Sequence, residues 1–155
     1  MVRMLKPPTP LSLDETTPSI FLAGSIEMGA AEDWQTHVAQ FFTGLDIIVL
    51  NPRRDEWDAS WLQSISNSKF REQVEWELEG LERASVVAMY FAPNTKAPVT
   101  LLELGLLAKS GKLLVCCPEG FWRKGNVEVV CARYGVPCVN ELATLVSLLR
   151  KRVAA

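Results

Sequence analysis

The sequence predicts a doubly wound α/β domain: a five-stranded parallel sheet with helices on both faces, wound in the flavodoxin-like or Rossmann-like manner. Two observations carry that expectation. Short apolar runs alternate with segments of helical period, which implies parallel strands joined by right-handed crossovers. The chain of 155 residues, 48% hydrophobic and 22% charged, suits one globular core, and it has no internal repeat and no long linker.

Residues 1–18 hold four prolines and few large apolar groups. They read as a flexible, proline-rich arm, followed by a single domain over 19–155. SIFLAG (19–24) is a short apolar run ending in Gly, the mark of a buried strand. In AAEDWQTHVAQFFTGL (30–45), Trp34, Val38, Phe41 and Phe42 share a helical face. DIIVLNP (46–52) is a second strand, stopped by Asn-Pro. A charged, Trp-bearing loop (53–66) leads into the helix SKFREQVEWELEGLERA (68–84), with Phe70, Val74, Leu78 and Leu81 on one side. SVVAMYF (85–91) is the third strand, and a helix follows over 98–110. KLLVCCP (112–118) and VPCV (136–139) complete the sheet. ELATLVSLLRKR (141–152) closes as an amphipathic helix, with basic residues in its last turn where the helix dipole favours them.

A net charge of −2 favours neither nucleic acid nor an anionic membrane as partner. No apolar run approaches the roughly 20 residues that span a bilayer. The first 18 residues lack the continuous apolar stretch of a secretory signal, so the expected location is cytoplasmic. Four cysteines without C-x-x-C spacing, and a single histidine, do not suggest a zinc site. No metal or cofactor is expected. Gly-x-Ser-x-Gly, Gly-x-Gly-x-x-Gly and Walker patterns are absent.

Ligands of a doubly wound sheet bind outside the carboxyl ends of the strands, near the point where the winding reverses. The segments to inspect are therefore AGSIEMG, NPRRDEWD, APNTKAPVT and PEGFWRKGN. The helix in APVTLLELGLLAKSGK raises the sharpest question, because it is apolar almost all round yet carries Glu103 and then Gly105. Lys96, Thr100 and Glu103 form one narrow exposed stripe, or else the carboxylate faces a pocket beside the preceding strand's end, where the helix dipole supports its charge. Gly105 costs about 1 kcal/mol relative to Ala in a helix interior, so a close contact beneath the site is expected there. On the helix 68–84, Glu72, Glu75, Glu79 and Glu82 lie opposite the apolar stripe, whereas Glu77 projects beside Phe70 and Leu81. It is either a boundary glutamate with a covered stem or a second carboxylate of the cleft. Two carboxylates facing one cleft suit reaction at an acetal-like carbon. One attacks or stabilises an oxocarbenium-like centre, and the other handles the proton of the leaving group.

Other residues carry two readings each. Gly24 and Ser25 offer donors to a ligand of the crevice or make a tight turn. Asn51, before Pro52, contacts a ligand or forms a turn. Arg53 and Arg54 bind an anionic group through planar forks or make surface ion pairs. Trp57, Trp61 and Trp122 stack on a flat ring of a ligand or pack their loops.

From about residue 19 to 140, these segments resemble the nucleoside 2-deoxyribosyltransferase family, in its type 2-like branch. The matching parts are FLAGS, WELEGLERASVVAMYF, LLELGLLAKSGK and KGNVEVVCARYGV, in that order. The resemblance implies that the glutamate of E-L-G, Glu103, is the nucleophile. It implies that Glu77, where relatives usually have Asp, is the second acid. It also implies that Asn126 reaches the sugar in a neighbouring subunit's site, with Glu128 a further substrate contact, which makes the chain a homo-oligomer. Relatives often place a base-contacting acid six positions before the nucleophile; here that residue is Ala97, with Asn94 and Thr95 nearby. The implied activity moves 2-deoxyribose between a nucleoside and a free nucleobase, by double displacement through an ester on Glu103. The alternatives are N-glycoside hydrolysis of nucleosides or their 5′-monophosphates and, from another class, a non-catalytic nucleotide-binding module.

Overall fold

The computed structural model describes residues 1–26 and 32–155. Its strands are β1 (Arg3–Leu5), β2 (Ser19–Gly24), β3 (Ile48–Leu50), β4 (Val86–Tyr90), β5 (Leu113–Cys116) and β6 (Cys138–Val139). The helices are α1 (Trp34–Ala39, continued by a 3-10 turn at Gln40–Phe42), α2 (Ser68–Arg83), α3 (Pro98–Leu107), α4 (Lys124–Tyr134) and α5 (Leu142–Ala154). The strands form one parallel sheet in the order β1-β3-β2-β4-β5-β6. From β2 the chain steps outward to β3, then jumps back across β2 to β4 and continues to the far edge. The winding therefore reverses between β2 and β4, whose carboxyl ends open a crevice.

Burial of both sheet faces explains the continuous apolar runs. Along β2, Ile20 and Leu22 point to one face, and Phe21 and Ala23 to the other. The first face packs on α1 and α5 through Trp34, Val38, Leu145 and Leu149. The opposite face packs on α2, α3 and α4 through Trp76, Leu81, Leu104, Leu107 and Val127. Helices thus lie on both faces, as expected.

The sheet has six strands rather than five. Arg3–Leu5 pairs in parallel with Ile48–Leu50, so part of the arm lies in the sheet. Further on, the Trp76 indole N–H donates to the Thr9 carbonyl at 2.8 Å, and Leu11 and Leu13 pack on the core. A three-residue edge strand among prolines carries too little pattern to read. Two helical faces are also corrected. Phe41 is exposed and meets the His37 ring, because the 3-10 turn rotates it off the face of Trp34, Val38 and Phe42. On α2 the buried residues are Gln73, Trp76, Gly80 and Leu81, while Leu78 is exposed. Ala30 and Ala31, placed at the start of the first helix, lie outside the described residues, as do Glu27, Met28 and Gly29 of AGSIEMG.

Gly24 ends β2 opposite Tyr90 of β4. A Cβ there would stand 2.4 Å from the Tyr90 carbonyl oxygen and 2.6 Å from Cζ2 of Trp34. The same carbonyl accepts the Ser25 N–H at 3.1 Å. Gly24→Ala is therefore expected to push the two strands apart at the crevice and destabilise the fold by about 1–3 kcal/mol. The urea midpoint measures this, and an unchanged midpoint contradicts the contact.

Candidate active site

The crevice holds a cavity of about 500 Å³. β2 contributes Gly24, α2 contributes Glu77, and the start of α3 contributes Thr100 and Glu103. The turn after β4 sets the entry of α3. Asn94 (φ 63°) and Ala97 (φ 45°) both adopt left-handed backbone, which side-chain-bearing residues rarely do. Pro98 then begins the helix with its φ already suited to the first turn. On α2, the Asn67 side chain accepts from the Phe70 N–H at 3.0 Å and fixes the helix start.

Glu103 is only 7% exposed. Its carboxyl is raised to about 8, first by burial and then by the negative charge of Glu77. Glu77 is half-buried, and burial raises its carboxyl to about 7. A hydrogen bond from Gln73 opposes that rise, with Gln73 Nε2 donating to Glu77 Oε1 at 3.5 Å. The same Nε2 donates to the Pro52 carbonyl at 2.9 Å, so Gln73 links α2 to the loop after β3. Sequence reasoning missed Gln73. The signal was its spacing, since it lies one helical turn before Glu77 on the same face.

Of the candidate acids and ligand contacts singled out in the sequence, Glu103, Glu77, Gly24, Arg53, Arg54 and Trp57 line this cavity together. Arg53 is held from below. Its Nε donates to Gln35 Oε1 at 2.8 Å and lies 3.3 Å from Asp33, and its Nη2 donates to the Glu32 carbonyl. Ser25 is buried beside the crevice. Its Oγ accepts from the Ala92 N–H at 3.0 Å and lies 2.8 Å from the Thr95 hydroxyl. Asn51 is buried under the loop, where its Oδ1 accepts from the Arg53 N–H at 3.0 Å. Asn94 is exposed at its turn, with its N–H donating to the Gly120 carbonyl at 3.2 Å. Asn126 and Glu128 are exposed on α4 and do not line the cavity. Arg54 proves buried rather than solvated, paired with Glu72 at 2.8 Å. Trp57 lines the cavity, Trp61 lies against Arg54, and Trp122 is exposed with its indole N–H on the Lys96 carbonyl.

Gly105 is a correction. A Cβ at that position would meet nothing within 4 Å, so the glycine packs nothing beneath the site. It lies on the outer face of α3 with Leu102 and Leu106, both exposed. The apolar character of α3 therefore has two sources: one side enters the core and the other is open.

Two carboxyls lining one cavity, both raised by burial and one also by the other's charge, allow one to be ionised while the other holds a proton. That combination serves nucleophilic attack coupled to protonation of a leaving group. Comparison with curated proteins finds no match. A family model described as "Nucleoside 2-deoxyribosyltransferase like" matches residues 17–121, which include β2 to β5, Glu77 and Glu103. The chain therefore belongs to the nucleoside 2-deoxyribosyltransferase-like family.

Proposed function

We propose that the protein transfers 2-deoxyribose between nucleobases, with Glu103 as nucleophile and Glu77 as its proton partner. The observation that supports this is the pairing of Glu103 and Glu77 in one cavity at the reversal of winding, each raised by burial and Glu103 further by Glu77's charge. In the first step a Glu103 oxygen bonds to C1′ while the N-glycosidic bond breaks. The bonding pair leaves with the base, which takes a proton from Glu77. In the second step an acceptor base attacks C1′, the ester bond breaks, and Glu77 recovers a proton. Attack requires Glu103 ionised and Glu77 protonated, so the pair carries one proton at that moment, and burial of both groups favours a pair that is not doubly charged. Product analysis with and without a free acceptor base tests the proposal. Transfer yields a new nucleoside; free sugar in both arms means hydrolysis instead, and no product means a binding module.

The working unit proposed is a homo-oligomer in which Asn126, with Glu128, completes a neighbour's site. Both residues lie outside their own chain's cavity, and the open side of α3 presents Leu102 and Leu106, each more than half exposed. Leu106→Glu is expected to yield monomers by light scattering and to lose activity at low protein concentration. Mixing Glu103→Gln with Asn126→Ala is expected to restore part of the activity that each variant lacks. A fully active Leu106→Glu monomer contradicts the shared site.

A further inference from the structure

A cluster of thiols lies where α4 runs into β6, outside the crevice. Cys131, on α4, is buried, whereas Cys138, on the edge strand β6, keeps part of its surface in solvent. The chain turns back sharply between them. The Gly135 N–H and the Val136 N–H both donate to the Cys131 carbonyl, the second at 2.9 Å, and Gly135 takes left-handed backbone (φ 68°). That turn sets Cys138 beside Cys131, and the Cys131 thiol donates a hydrogen bond to the Cys138 sulfur. Both cysteines are free thiols.

The sheet sorts the other two cysteines. Cys116 and Cys117 are neighbours in an extended segment and so point to opposite faces. Cys116 packs on the α1 and α5 side, and Cys117 on the side of Cys131 and Cys138, where it is fully buried. Lys124 stands at the same corner. Its Nζ donates to the Cys117 carbonyl at 2.6 Å and to Asn140 Oδ1 at 2.7 Å, and lies 3.8 Å from Glu128. The Cys131 hydrogen bond and the charge of Lys124 favour a thiolate on Cys138; burial and Glu128 oppose it, and the thiol is lowered to about 7. Burial pushes Cys116 up to about 12 and Cys117 up to about 11. Cys131, as the donor, is also pushed up. A thiolate that solvent reaches is the reactive form of cysteine, and a thiol held against it is placed to resolve the oxidised sulfur. Among the described residues, no three His, Cys, Asp or Glu side chains are grouped to hold a metal ion.

We propose that Cys138 and Cys131 form a dithiol modification site that a hydroperoxide oxidises to a disulfide across the α4–β6 corner. The Cys138 sulfur attacks a peroxide oxygen and the O–O bond breaks. With hydrogen peroxide, Cys138 becomes a sulfenic acid and the other oxygen leaves as water. The Cys131 sulfur then attacks the Cys138 sulfur. The S–S bond forms, the S–O bond breaks, and the Cys131 proton leaves with the hydroxyl as a second water. The pair of sulfurs gives up the electrons that reduce the peroxide. Neither cysteine lines the crevice cavity, so the inference stands apart from the proposed function.

Peptide mapping without reductant tests this, on the full chain first reduced and then briefly exposed to hydrogen peroxide. Arg133 lies between the two sulfurs, so trypsin places Cys131 in 125–133, Cys138 in 134–150, and Cys116 with Cys117 in 113–123. The expected product joins 125–133 to 134–150, in a chain that still runs as a monomer on a denaturing gel, and a thiol reductant releases it. In the reduced protein, a short pulse of iodoacetamide at neutral pH should label Cys138 about tenfold faster than Cys116 or Cys117, or more. Cys131→Ala should leave the sulfenic acid on Cys138, where dimedone traps it. Because Cys131 is buried, Cys138→Ser serves as the second variant; it should give neither the joined peptide nor a dimedone adduct. An absent link, a link from 134–150 to 113–123, or equal labelling of Cys138 and Cys117 overturns the proposal.

Discussion

Replacing Glu103 by glutamine is expected to lower turnover by roughly 10³-fold or more while the fold survives. The amide keeps the shape of the side chain and removes the attacking charge. Glu103 belongs to a wall of the cavity and not to the packed layer of α3, which Leu104 and Leu107 form, so folding should be little disturbed. A 2-fluoro-arabino nucleoside sharpens the test. Fluorine disfavours the oxocarbenium-like transition state and slows release of the sugar ester. The wild type should acquire the mass of one fluorosugar on the peptide containing LLELGL, and the Glu103→Gln variant should acquire none. A label on Glu77 exchanges the two roles. Near-normal turnover of Glu103→Gln removes the nucleophile altogether.

Stability should fall as pH rises through neutrality, and the same substitution should flatten the fall. Both carboxyls have an ordinary value of 4.5, and the fold raises Glu77 to about 7 and Glu103 to about 8. Between those limits the folded state binds more protons than the unfolded chain, so unfolding free energy declines with rising pH. The decline starts near the ordinary value and is complete above about 8. One pKa unit corresponds to about 1.4 kcal/mol, and the burial of Glu103 makes an effect on the order of a few kcal/mol reasonable. Glu103→Gln cannot ionise. Relative to wild type it should gain stability at about pH 9 and gain least at about pH 5, by urea midpoints at the two values. A wild-type midpoint that rises across that interval contradicts the burial of these groups. Under the proposed mechanism, the carboxylate that reacts is the one whose ionised form the fold holds least comfortably.

What the sequence disclosed, and what it hid, follows from where pattern exists. Strands buried on both faces are continuous apolar runs, so β2, β4 and β5 were legible with nearly their observed limits. Glu103 and Glu77 stood out because a carboxylate beside an apolar stripe breaks the rule that polar side chains face water. The helix α4 was not read as one: only Val127 and Cys131 of its residues are buried, and two positions make no stripe. Its end was signalled by Gly135, which caps it in left-handed backbone (φ 68°). Gly105 was misread because a helix apolar all round does not say which side faces the core. Gln73 and Arg54 were hidden for the opposite reason. Both are polar residues placed inside, and what places them is tertiary: the Pro52 carbonyl for one, Glu72 and the Trp61 ring for the other.

The short strand β1 has a consequence for how this protein avoids its own kind. Without Arg3–Leu5, the outermost strand on that side would be Ile48–Leu50, three buried apolar residues with a free row of backbone donors and acceptors. Such a row is a template for another chain's strand. The arm acts as a fitted guard rail: exposed Arg3 and Met4 face outward where a bare hydrophobic ribbon would otherwise lie. A form of the chain lacking its first five residues should therefore lose solubility, with aggregates rich in intermolecular sheet, even while its core remains able to fold.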